Sequence, residues 1–166
     1  AVTIYGETLH YNGVSWSMMS NISPNSLRGV WCGSGTNAFA VGDWGSIFHY
    51  NGRIWSEMSN STTYFGFYGI WGTSASDVFT VGAYGKILHY DGKNWNEMSS
   101  GTSNGLTDVW GSSGVDVFAV GSHGTILHYD GVNWGAMKSG TTESITSVWG
   151  SSSNDVFALC FFHSIL

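Results

Sequence analysis

Charge is what this sequence has least of. Only 10% of its 166 residues are Asp, Glu, Lys or Arg, with five Lys plus Arg against eleven Asp plus Glu. A net charge of −6 without any basic run excludes the phosphate-binding footprint of a nucleic-acid partner. Long apolar runs are missing as well. No stretch of 18 apolar residues occurs, so no helix of the chain spans a membrane. No signal-peptide pattern opens the chain, and the sequence reads as soluble. Its compartment stays open, with secretion or display at the cell surface among the options. Helical patterning is absent too, since no 3.6-residue stripe survives the 24 glycines. What is present is 42% hydrophobic and 16% aromatic residues, the composition of a core-rich, turn-rich β protein rather than a disordered one.

The chain repeats itself. Trp31, Trp71, Trp110 and Trp149 stand 40, 39 and 39 residues apart, and the phrases between them recur. Asp77-Val-Phe-Thr-Val-Gly returns as Asp116-Val-Phe-Ala-Val-Gly, and Lys86-Ile-Leu-His-Tyr-Asp-Gly as Thr125-Ile-Leu-His-Tyr-Asp-Gly. A fixed period near 40 means one supersecondary unit copied in series.

Within a unit, short β-branched and aromatic runs are bounded by Gly, Ser, Asn and Asp, the pattern of strands and turns. Asn12-Gly13, Asn51-Gly52, Asp91-Gly92 and Asp130-Gly131 predict two-residue hairpin loops with positive φ at both positions. A Gly-x-x-Gly turn joins the second and third strands, at Gly42–Gly45, Gly82–Gly85 and Gly121–Gly124. The unit is therefore a four-stranded antiparallel meander.

Both faces of that meander are apolar. Leu127 and Tyr129 oppose Ile126 and His128, and Val117 and Ala119 oppose Phe118 and Val120. A sheet apolar on both sides needs cover on both sides, which neighbouring copies supply. That is the logic of a β-propeller with four strands per blade.

The ends supply half-units. Residues 1–20 align with the last two strands of a unit and 145–160 with the first two. The expected architecture is all-β, a single propeller domain over 1–166. Its blades are near 27–59, 67–99 and 106–138, with a closing blade shared between 145–160 and 1–20. The tail from Cys160 to Leu166 is a degenerate copy of the third strand; Thr8–Tyr11 is read as the genuine one, with Phe161 to Leu166 displaced or packed elsewhere. Two further arrangements stay open: a head-to-tail dimer making an eight-bladed ring, and a segment of a larger propeller with no activity of its own. Cys32 and Cys160 fall at opposite ends of their blades, about 17 Å apart, too far for a disulfide. They are read as free thiols.

The phrase Val-Gly-x-x-Gly-x-Ile-Leu-His-Tyr-Asp-Gly-x-x-Trp resembles the repeats of bacterial propellers related to the photosystem II assembly-factor family. It is also similar to the Asp-box repeats of bacterial neuraminidases, lacking their leading Ser/Thr and one turn residue. The resemblance implies a propeller. Such repeats occur in lectins, hydrolases and assembly factors, so it implies no one activity.

Chemistry-bearing residues recur in three sets. His10, His49, His89 and His128 hold one position per unit, too far from the axis for one ion to reach with ~2 Å bonds. They are read as hydrogen-bonded within or between blades; neither a metal nor another cofactor is expected. Asn37, Asp77, Asp116 and Asp155 enter the second strands and are read as capping local backbone N–H groups. The carboxylate-clamping arginine triad of neuraminidases is missing, since Arg28 and Arg53 are the only arginines. No nucleophile–base order stands out, and an enzyme is not expected. A glycoside-processing hydrolase is the catalytic alternative.

The third set is Tyr5, Trp44, Tyr84 and His123, in the turn between second and third strands. Exposed aromatics there suggest a stacking platform, against the simpler reading that each ring covers its neighbouring blade. The expected function is non-catalytic: weak multivalent recognition of a neutral glycan or a peptide. Carbohydrate or protein is the expected partner. Scarce arginine disfavours phosphate or carboxylate ligands.

Overall fold

The computed structural model describes residues 1–60 and 64–161. In chain order the described strands are β1 (Glu7–Tyr11), β2 (Trp16–Asn21), β3 (Leu27–Ser34), β4 (Asn37–Gly42), β5 (Ile47–Tyr50) and β6 (Trp55–Glu57). They continue as β7 (Phe67–Ser74), β8 (Asp77–Gly82), β9 (Ile87–Tyr90), β10 (Trp95–Met98) and β11 (Leu106–Ser113). The last five are β12 (Asp116–Gly121), β13 (Ile126–Tyr129), β14 (Trp134–Met137), β15 (Ile145–Ser152) and β16 (Asp155–Cys160). Three antiparallel meanders result, β3–β6, β7–β10 and β11–β14, each one sheet. The first strands of successive units lie side by side, β3 by β7, β7 by β11 and β11 by β15. This is an all-β propeller.

The fourth blade is present as two halves. β1–β2 carries its third and fourth strands and β15–β16 its first and second, each standing as a separate two-stranded sheet. No ladder joins β1 to β16 among the described residues. Of the segment Phe161 to Leu166 expected to be displaced, residues 162–166 lie outside the described residues.

The core sits between blades. Phe39, Val41 and Ile47 of the first meander meet Phe67, Val78, Leu88 and Trp95 of the second. Phe79, Val81 and Ile87 of the second meet Leu106, Val109, Val117, Ala119 and Leu127 of the third. Five of the six residues of β8 are buried, on both faces, because both faces have neighbours. Burying a side chain such as Phe79 contributes about 2–3 kcal/mol, and the repeat multiplies that sum.

One local expectation is corrected. The Asx-Gly hairpins are four-residue loops, with Tyr90 opposite Trp95 and Tyr129 opposite Trp134. Only the glycines take positive φ, 90° at Gly131. The reason is the Asx side chain. Asp130 Oδ1 accepts the backbone N–H groups of Val132 and Asn133 at 2.9 and 2.8 Å, and so supports a wider turn than a type I′ pair. Hydrogen bonds from Asn133 and Val132 hold the Asp130 carboxyl below its usual range. Asn94, Lys93 and Asn96 do the same for Asp91.

Cys32 and Cys160 are both free thiols. Cys32 donates through its Sγ to the Ser34 carbonyl at 2.9 Å.

Candidate functional site

The turn between second and third strands places an exposed ring at the same point of each meander. Gly82 N donates to Lys86 O at 2.9 Å and Lys86 N to Ala83 O at 3.1 Å, which closes the turn over two central residues. Closing it so tightly drives Tyr84 into the left-handed region, φ 56° and ψ 31°. Trp44 (φ 59°) and His123 (φ 56°) take the same conformation. Glycine adopts it freely, but for a bulky residue it costs on the order of 1–3 kcal/mol. Three successive repeats nevertheless carry a ring there. Trp44 is 64% exposed and Tyr84 67%, so most of each ring stands in solvent and burial offsets the strain only in part. His123 is also exposed.

Tyr5 belongs to the set by position rather than conformation, as its φ is not positive. Its backbone is tied down instead. Its N–H reaches Thr3 Oγ1 at 3.2 Å and its carbonyl accepts from Asn21 Nδ2 at 3.1 Å, while the ring points out.

Two of the rings border grooves. Tyr84, Lys86 and Glu97 line a cavity of about 380 Å³ whose far wall is the interblade loop 99–103. His123 and Lys138 line the corresponding cavity of about 690 Å³, walled by loop 139–142. The two grooves are separate, each belonging to its own blade. Their floors are rich in Ser, Thr and Gly, and so offer hydroxyls and backbone groups. Ser100 and Ser139 hydroxyls are engaged with the carbonyls of Thr102 and Thr141.

The surroundings differ in charge from blade to blade. Beside Trp44, Arg28 Nε and Nη2 donate to both oxygens of Asp43 at 3.1 and 2.9 Å. That hydrogen bond to Asp43 raises the Arg28 pKa further above its ordinary value. Beside Tyr84, Lys86 pairs with Glu97 and its Nζ sits 5.5 Å from the Phe65 ring centroid, while Phe65 meets Tyr84 edge-on at 5.2 Å. Lys138 has no carboxylate partner among the described residues. Sequence reading missed Arg28, Phe65, Lys86, Glu97 and Lys138 because they do not recur, so aligning the repeats discounts them.

The histidine and Asx sets come together in a way the sequence reading did not anticipate. Asp77 and Asp116 do not cap backbone N–H groups. His89 Nε2 donates to Asp77 Oδ1 and His128 Nε2 to Asp116 Oδ1, both at 2.7 Å. Thr73 and Ser112 hydroxyls donate to the other oxygens of these carboxylates, and Ser151 does so to Asp155. The histidines also stack on the second-strand phenylalanine, 4.3 Å between centroids for His89 and Phe79. In the first meander Asn37 replaces Asp, its Nδ2 lying 3.2 Å from His49 Nε2.

These are not Ser-His-Asp triads. The hydroxyl bonds the carboxylate, not the imidazole, so no base stands ready to take its proton. Burial raises the Asp116 pKa, but hydrogen bonds from Ser112 and His128 and the His128 charge outweigh it, and the net shift is downward. Desolvation lowers the pKa of His49. The networks pin the third strand to the entry of the second.

No protein-family model and no curated protein matches the chain. Solved structures do. The chain is similar to YCF48 from Cyanidioschyzon merolae with a TM-score of 0.73 and 16% identity, over 95% of this chain and 59% of that one. It is also similar to a structure of YCF48 bound to D1 peptide, at a TM-score of 0.51 and 18% identity, over 93% of this chain and 69% of that one. The chain thus spans about three fifths of the first of these proteins and about two thirds of the second. At these identities the likeness is one of fold.

Proposed function

We propose that the chain is a non-catalytic protein-binding propeller, and that the face carrying Tyr5, Trp44, Tyr84 and His123 takes an extended, largely uncharged peptide segment. The observation that carries this reading is the left-handed backbone at Trp44, Tyr84 and His123. A conformational cost repeated at three exposed, bulky residues has only a partial packing return at Trp44 and Tyr84, most of whose rings stand in solvent. Such strain concentrates where side chains are held for contact. The grooves beneath Tyr84 and His123 add hydroxyl and backbone partners for a peptide main chain. A propeller of like fold bound to D1 peptide lends support from outside the chain. Each groove is small and open, so binding is weak per blade and useful in series.

A neutral glycan is the other occupant these rings suit, since the C–H face of a sugar stacks on an exposed indole. The two are separated by probing one preparation on an arrayed set of extended neutral peptides and on a glycan array. Peptide capture lost in Trp44→Ala and Tyr84→Ala, with thermal unfolding unchanged, supports the proposal. Capture only on glycans replaces it, and capture of neither ends it.

A further inference from the structure

We propose that the groove of the third blade holds one acidic side chain of the bound peptide, between Lys138 and His123, while the groove of the second blade takes a neutral one. The inference rests on the peptide reading above and adds to it a fixed direction across the blades.

The two grooves are one scaffold with different charges. Ser99-Ser100-Gly101-Thr102 and Lys138-Ser139-Gly140-Thr141 occupy the same link between blades. The Ser100 and Ser139 hydroxyls donate to the Thr102 and Thr141 carbonyls at 3.2 and 3.0 Å. Each serine oxygen in turn accepts the N–H of that threonine at 3.3 Å. Asn104 N and Glu143 N donate to the two threonine hydroxyls at 3.1 and 3.0 Å. Loop shape therefore does not distinguish the grooves.

Charge does. In the second blade the Lys86 ammonium is taken up by Glu97, so the pair offers a ligand no net charge. In the third blade Thr125 stands in place of Lys86, Ala136 in place of Glu97 and Lys138 in place of Ser99. The groove keeps a cation and loses its acid. Among the described residues, neither Lys138 Nζ nor the His123 ring has a hydrogen-bond or ion-pair partner, and both line the same groove. Glu143 does not supply one. Its backbone is bound to Thr141 Oγ1 and to Gly124 N, and its carboxylate is not paired with Lys138.

Closing the ring does not supply one either. Between the first two blades the position of Lys138 is held by Ser59, which shares a groove with Lys93 and Asn94 of the next hairpin. In the hairpin of the fourth blade those two places are Val14 and Ser15, without a carboxylate. An exposed ammonium beside an exposed imidazole N–H makes a carboxylate site of modest strength.

Two blocked tripeptides, acetyl-Gly-Glu-Gly-amide and acetyl-Gly-Gln-Gly-amide, titrated into the isotope-labelled chain and followed by NMR, test this without the natural peptide in hand. The Glu probe is expected to shift the amides of Gly124 and of 137–142. It should bind about threefold more tightly than the Gln probe at low salt. Raising the salt to about 1 M, where the Debye length is ~3 Å, removes the preference. Lys138→Gln removes it too, as does Ala136→Glu, which installs the carboxylate that the second blade has. Glu97→Gln leaves Lys86 unpaired and creates a second preference for the Glu probe, read at 99–103. Equal response to the two probes overturns the proposal. So does a Glu preference that survives Lys138→Gln, or one centred on Arg53 or Lys93. The arrayed peptides report separately. Capture there without a Glu preference in the groove keeps the peptide-binding reading and ends this one. A Glu preference without any capture keeps the carboxylate site and ends the peptide reading.

Discussion

The Trp110 indole lies against the Cα of Gly150 in the next blade, so close that a Cβ on that glycine would stand 2.7 Å from the ring. The same relation holds between Trp71 and Gly111, also at 2.7 Å, and more loosely between Trp31 and Gly72 at 3.2 Å. The recurrent Trp that sets the 40-residue period is thus matched by a recurrent Gly that admits it.

Gly111→Ala is therefore expected to destabilise the fold by about 1–3 kcal/mol, the usual penalty of overpacking. The Asp116 carbonyl closes the other side at 2.8 Å, so relief is limited. Gly35→Ala is the control, because nothing lies within 4 Å of its added carbon. Urea unfolding should show the first shifted and the second within about 0.5 kcal/mol of the parent. Equal effects would mean the indole has room to move.

How much of this was legible in sequence follows from what repetition can carry. Blade architecture was readable, because Trp31, Trp71, Trp110 and Trp149 and the Ile-Leu-His-Tyr runs repeat a period that individual noise does not blur. Tyr5, Trp44, Tyr84 and His123 were legible as exposed turn residues, but the strained backbone of three of them was not. A Gly-x-x-Gly signal fixes where a turn is without saying which residue absorbs the positive φ. The His–Asp pairing escaped because the partners lie 12 residues apart on different strands, as His128 and Asp116 do, and only register brings them together. Asp108 escaped for the opposite reason, being a single unrepeated residue.

Asp108 joins the third blade to the half-blade beyond it. Its Oδ2 accepts from Ser147 Oγ at 2.8 Å and from Val148 N at 2.9 Å, while Oδ1 accepts from Val109 N at 2.9 Å. Hydrogen bonds to a charged acceptor contribute about 1.5–3 kcal/mol each at most. Asp108→Ala is expected to release β15–β16 before the rest of the sheet array. Hydrogen exchange should then show Ile145–Ser152 losing protection while Phe67–Ser74 keeps it. Uniform loss would show that the half-blade is not a separate unit of stability.

The first blade should be the acid-sensitive one near neutrality. Burial lowers the His49 pKa below its ordinary 6.5, and its neighbour is the neutral Asn37 rather than a carboxylate. A base whose folded pKa is depressed takes up fewer protons folded than unfolded. Stability is then full above about 6.5 and falls as the pH drops through the folded value. For Asp116 the depressed carboxyl acts lower, its contribution present above 3.8 and lost below. Asn37→Asp should give His49 the partner its counterparts have, raise its pKa and flatten the decline in melting temperature between pH 7 and pH 5. An NMR titration of the His49 ring that does not move upward would refute this.

Trp44→Gly separates ligand contact from packing in one substitution. The left-handed backbone at Trp44 costs a bulky residue roughly 1 kcal/mol or more that glycine does not incur. Removing an indole that packs into the fold would destabilise by more than that strain returns. Removing one that stands mostly in solvent, at 64% exposure, leaves stability unchanged or slightly raised. The expectation is therefore a melting temperature equal to or a few degrees above the parent, with peptide capture by that blade abolished. Trp44→Ala, which loses the ring but keeps the strain, should lie below Trp44→Gly in stability and equal it in lost binding. If Trp44→Gly melts well below the parent, the ring is a structural cover for the blade edge and the turn face is not a recognition surface.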